Sequence, residues 1–144
     1  MKLSEQIEAK HIQSDIAREC VQVMENQVNG KKGMTGVLFK TLYAGIRALG
    51  ADYAYRATLN LLSATSKALD PLWEKGLSEN APVAYLKNNS SLTAETILSV
   101  TDAKIAKAHN KIVKATYQKV RNTLEEEITQ AVPPIADILG KYVQ

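Results

Sequence analysis

The chain has 144 residues, 45% of them hydrophobic and 23% charged, with 18 basic and 15 acidic side chains for a formal charge of +3. That length suits one domain able to fold without disulfides or metals, and the composition excludes disordered, fibrous and cysteine-stapled classes. Charge is even along the chain, with nine basic and seven acidic residues in 1–72 against nine and eight in 73–144, and an excess of this size does not by itself mark a nucleic-acid binder.

Helical periodicity recurs from the first residues onward, and no segment alternates strictly between polar and apolar as a half-buried strand would. Ser4 is placed to cap a short opening helix with Ile7 inward. Ser14 reads as the next N-cap, with Asp15 in a first turn that favours negative charge. Ile16, Cys20, Val23, Met24 and Val28 then share a face. Gly30 and Gly33 end that helix around Lys31 and Lys32.

Two strongly apolar helices follow. Residues 36–49 place Val37, Leu38, Leu42, Ile46 and Leu49 inward, with Phe39 and Tyr43 beside them. Gly50 is suited to end that helix and Asp52 to cap the next, which turns Tyr55, Leu59, Leu62 and Leu69 inward. With two residues between them the helices should pack as a hairpin, the expected centre of the core.

The four prolines lie beyond residue 70 and read as punctuation. Asp70-Pro71 has the form of an N-cap followed by proline at the first helical position. Pro82 opens a short helix through Lys87, and Asn88–Ser91 is a polar turn. A segment with Ile97, Leu98 and Val100 follows. Thr101-Asp102 is expected to start another helix with Ile105 inward, and Asn110 a further one with Ile112, Val113, Tyr117 and Val120. Thr123 and Glu126 have capping-box spacing, which predicts a break near Asn122. Pro133-Pro134 separates a last helix over 135–142. The expected fold is all-α: a single-domain bundle of short and medium helices over 1–144. Its core should include Val37, Leu38, Leu42, Ile46, Leu59, Leu62, Leu69, Leu98, Ile105, Val113 and Tyr117.

Four segments carry a resemblance. Gly33-Met34-Thr35-Gly36-Val37-Leu38-Phe39-Lys40-Thr41-Leu42-Tyr43, Ala68-Leu69-Asp70-Pro71-Leu72-Trp73, Val100-Thr101-Asp102-Ala103-Lys104 and Val113-Lys114-Ala115-Thr116-Tyr117 are similar to pieces of an uncharacterised bacterial family of small all-helical proteins, a domain of unknown function. The pieces keep the family's order. None is a catalytic signature, so the resemblance implies a helical fold and no active-site residue. The family often has proline after the position of Arg121, where this chain has Asn122-Thr123.

Chemistry-bearing patterns are sparse. His11, Cys20 and His109 are the only soft metal-ligand candidates, far apart and without H-x-x-x-H or C-x-x-C spacing, so no metal or cofactor is expected. Cys20 among Ile16, Val23 and Met24 reads as a buried small hydrophobe. Gly30, Gly33 and Gly36 follow no strand, which fails the test for a dinucleotide fingerprint. Lone Cys20 suits a reducing compartment. Residues 1–8 hold no signal-like apolar run, and 34–69 is interrupted by five charges, so no membrane span is expected and the location is cytoplasmic.

Two surfaces stand out. Lys104, Lys107, Lys111 and Lys114 recur at three- and four-residue steps and would share one face of a continuous helix, a polyanion surface if not simply solvated. No aromatic interleaves them, which disfavours nucleic acid. The wide apolar surface of the 36–69 pair fits a central helix pair, a homodimer contact or an unknown protein partner. Phe39, Tyr43, Tyr53, Tyr55 and Trp73 could line an apolar pocket or interface there. The expected function is a non-enzymatic interaction or scaffold module, self-associating. The alternatives are a carrier of an apolar or amphipathic small molecule between helices and, ranked below it, a weak nucleic-acid binder through the lysine row.

Overall fold

A computed structural model describes residues 2–31 and 33–143; the side chains of Met34, Thr35, Leu38 and Leu42 lie outside the described residues, and with them the expected core roles of Leu38 and Leu42. The described residues form seven α-helices and no strand: α1 (Leu3–Lys10), α2 (Gln13–Gly30), α3 (Gly33–Arg47), α4 (Tyr53–Ser78), α5 (Pro82–Asn88), α6 (Ser90–Ala106) and α7 (Lys111–Val143).

Backbone chemistry explains several boundaries. His11, in the left-handed region at φ 53°, returns the chain from α1 into α2. Gly33 at φ 70° provides the sharp turn between α2 and α3. Asn110 caps α7 as expected: its Oδ1 accepts the N–H groups of Ile112 at 2.9 Å and Val113 at 3.1 Å. Pro82 opens α5, where its missing N–H costs nothing.

Other expected boundaries do not occur. Ser4 and Ser14 lie inside first turns, with Lys2 and Ile12 at the N-cap positions. Asp52 occupies its expected N-cap position, but its carboxylate pairs with Arg56 at 3.2 Å and not with the helix N–H groups. α4 runs unbroken through Asp70-Pro71, α6 through Thr101-Asp102, and α7 through Asn122, Thr123 and Pro133-Pro134. A proline inside a helix removes one hydrogen bond and costs about 3 kcal/mol or more. Buried neighbours hold both helices across these positions: Leu69 and Trp73 flank Pro71, and Val132 and Ala136 flank the proline pair. Fully burying one large aliphatic or aromatic side chain contributes roughly 1.5–3 kcal/mol, enough in combination to outweigh the local penalty.

The core is not centred on the 36–69 pair, which contributes Leu62 and Leu69 to it among the described residues. It is built by Leu3 and Ile7 of α1, Ile16 of α2, Leu62, Leu69 and Trp73 of α4, Leu86 of α5, and Ala136, Ile138, Leu139 and Val143 of α7. The second halves of α4 and α7 supply most of it, and the short α1 and α5 close it. Of the expected core residues, Leu62, Leu69 and Leu98 are buried; Ile46, Leu59, Ile105, Val113 and Tyr117 are half-buried. Val37 is 67% exposed. Gly36 beside it faces the turn between α2 and α3: a side chain at Gly36 would stand 2.5 Å from the Lys31 carbonyl oxygen. Val37, one residue on, is turned about 100° from that contact. Ile112, expected inward, is 68% exposed. Tyr117 takes the side facing α6, where its hydroxyl reaches Asp102.

Two stretches contribute little to the buried core, although Cys20 and Val23 pack against it. Among the described side chains of 18–61, only the Gly36 position is buried, and in 99–119 none is. The first stretch is the end of α2, all of α3 and the start of α4. The second is the α6–α7 hairpin tip.

Candidate functional site

Polar networks hold the peripheral helices in place. At the α6–α7 hairpin, Arg121 grips Asp102 with two bonds, Nε to Oδ1 at 2.8 Å and Nη2 to Oδ2 at 3.0 Å, and Tyr117 donates its hydroxyl to the same Oδ1 at 2.5 Å. The guanidinium, with the Tyr117 hydrogen bond, holds the Asp102 carboxyl below its ordinary range. Burial first, then the carboxylate, pushes the Tyr117 hydroxyl up. Asp102 was expected to start a helix; its carboxylate instead ties α6 to α7.

A second network joins α2 to the end of α7. Glu19 accepts a short hydrogen bond from the Tyr142 hydroxyl and pairs with Lys141 at 3.1 Å. The Tyr142 bond, then Lys141, lowers the Glu19 carboxyl. Next to it, burial with help from the Glu19 charge pushes the Cys20 thiol up to about 11. Cys20 is therefore a protonated thiol at neutral pH, the reverse of an activated nucleophile. Lys31 at the end of α2 reaches Glu127 at 2.8 Å.

The five aromatic candidates do not converge. Trp73 is fully buried in the core, away from any surface, and its indole N–H has no hydrogen-bond partner among the described residues. Tyr55, half-buried, shares a hydrogen bond with Ser14 at 3.0 Å. Tyr43, half-buried on α3, donates to Glu25 at 2.8 Å, and burial followed by that carboxylate raises its hydroxyl to about 12. Phe39 and Tyr53 are half-buried on α3 and at the start of α4. Two open clefts mark the surface, one lined by Val23, Asn26, Gln27, Lys31, Gln130 and Pro134, the other by Ser4, Lys67, Asp70 and Glu74 among others; none of the five aromatics lines either.

The four lysines flank the turn between α6 and α7. Lys104 and Lys107 close α6 and Lys111 and Lys114 open α7, so a turn over 107–110 interrupts the continuous helix their shared face requires. They ring a hairpin tip and make no ion pair among the described residues. Comparing the two halves of the sequence conceals how this charge is distributed. Residues 26–51 hold four basic side chains and no acid, and residues 103–124 hold six and no acid; the rest of the chain holds eight basic and fifteen acidic residues. The first acid-free window lies within 18–61 and the second overlaps 99–119. A shorter counting window along the sequence finds them.

Among the described residues no three His, Cys, Asp or Glu side chains are grouped as for a metal ion, and no helix is long and apolar enough to cross a membrane. No curated protein and no solved structure matches the chain. The model of a family of unknown function (DUF6918) matches residues 3–143, and the chain belongs to that family.

Proposed function

We propose that this member of a family of unknown function is a non-enzymatic helical interaction module that associates with a second copy of itself through α3. The observation that carries this reading is the incomplete cover on α3. This helix is among the most apolar segments of the chain, yet Val37 is 67% exposed and Phe39, Tyr43 and Ile46 are only half-buried. Apolar surface left in water forgoes about 25 cal/mol per Å², so covering it drives association. Charge supports the same partner. The window around α3 is basic and acid-free, while the body of the chain carries fifteen acidic residues against eight basic ones. A second copy thus offers complementary charge as well as an apolar face.

The non-enzymatic part of the reading is supported by the state of the reactive groups. The Cys20 thiol is raised, and the Asp102 and Glu19 carboxylates are lowered and tied to cations. A general acid or an activated nucleophile needs shifts in the opposite directions. Native mass spectrometry tests the association by counting chains per particle. Two chains are expected at micromolar concentration, and one chain throughout contradicts the reading.

A further inference from the structure

The α6–α7 tip gathers features that the fold does not use. Lys104, Lys107, Lys111 and Lys119 are exposed and Lys114 is half-buried, and no acidic residue lies between Ala103 and Leu124. Lysines at the end of α6 suit the negative end of its dipole. Lys111 and Lys114 instead occupy the first turn of α7, where the dipole disfavours positive charge. Between them Ile112 is 68% exposed. The fold therefore leaves two cations in an unfavourable field and a large aliphatic side chain in water at the same point.

We propose that this tip is a peripheral membrane contact that docks on an anionic lipid bilayer. A bilayer with negative headgroups satisfies both features: its surface potential attracts the lysines, and its headgroup–acyl boundary takes Ile112 out of water. Nucleic acid would use the lysines and leave Ile112 without a contact. The Asp102–Arg121–Tyr117 network secures the two helices behind the tip, and no described residue of 99–119 belongs to the buried core, so the tip can enter the headgroup layer without unpacking the protein. No described helix is suited to spanning, so the contact is interfacial. This surface is separate from α3, and the inference does not rest on self-association.

Co-sedimentation with vesicles tests it. Binding is expected to phosphatidylcholine–phosphatidylserine vesicles and not to phosphatidylcholine alone, and it should weaken as salt rises. Lys111→Gln and Lys114→Gln should each weaken binding about fivefold, the equivalent of about 1 kcal/mol per surface lysine. Ile112→Ser should also weaken it, while Lys75→Gln, at an exposed site on α4, should not. Circular dichroism melting confirms that the variants are folded. The proposal is overturned by absent binding to anionic vesicles, by equal binding to neutral ones, or by tip variants that bind like wild type. Tight binding to duplex DNA that Ile112→Ser leaves unchanged, with no vesicle binding, would assign the lysines to nucleic acid instead.

Discussion

Asp70 lies inside α4, yet its carboxylate caps a different helix: it accepts the Ser4 backbone N–H at 2.9 Å and the Ser4 hydroxyl at 2.6 Å. This contact satisfies a free N–H in the first turn of α1 and places a negative charge at its positive end. Asp70→Ala should destabilise the protein by about 1–3 kcal/mol, because it leaves the Ser4 N–H without its acceptor. Ser4→Ala removes one neutral donor and should cost about 1 kcal/mol. Urea denaturation midpoints measure both, and a smaller cost for Asp70→Ala than for Ser4→Ala would contradict the capping role of Asp70.

Gly76 and Gly45 should respond oppositely to alanine. A methyl group at Gly76 would stand 2.5 Å from Pro82 Cα and 2.9 Å from Tyr85 Cβ, so α5 must move away from α4. Gly76→Ala should cost about 1–3 kcal/mol. At Gly45 nothing lies within 4 Å. Gly45→Ala, inside α3, should gain roughly 0.5–1 kcal/mol from helix propensity. Thermal melts of the two variants give the signs directly.

The Asp102–Arg121 pair predicts an acid-side dependence of stability. Asp102 is held below its ordinary value of 3.8 in the folded chain. Its contribution is therefore complete above that value and is lost as pH falls through the lowered one. Both side chains are about a third or more exposed, so the contribution is about 1 kcal/mol or less. Asp102→Asn should show that deficit near neutral pH, and the gap from wild type should close as pH falls below 3.8. Denaturant titrations across this range decide it.

Cys20 should be slow to react. A thiol moved from 9.0 to about 11 holds about a hundredfold less thiolate at pH 8. Its reaction with an aromatic disulfide reagent should be slower in the folded chain by about that factor and recover in urea.

Much of the fold is legible in local sequence, and the exceptions share one cause. Periodicity and glycines locate α2 and α3, Pro82 opens α5, and Asn110 announces α7. Asp70, Asp102 and the Pro133-Pro134 pair carry equally strong local signals for breaks, and at each the helix continues. Asp70 and Asp102 spend their carboxylates on side chains 66 and 19 residues away, which local spacing cannot show. The prolines are carried by the buried side chains that flank them, whose core is completed by helices distant in sequence. Leu3 and Val143 are buried because the two ends of the chain pack together, with Lys10 donating to the Val143 carbonyl at 3.0 Å. The lysine cluster was visible as a run of residues. Asn110 also marks the break that divides the row between two helices, but the outward turn of Ile112 between Lys111 and Lys114 is not legible there.

Sedimentation equilibrium of wild type and Val37→Asp tests the α3 interaction reading most directly. Val37 is 67% exposed, so the substitution should leave a single chain's stability within about 0.5 kcal/mol of wild type. It places a charge at the centre of the proposed contact. Wild type is predicted to sediment as two chains and Val37→Asp as one, with matching helical circular dichroism. One chain for wild type at every concentration, or two chains for both proteins, would contradict association through α3.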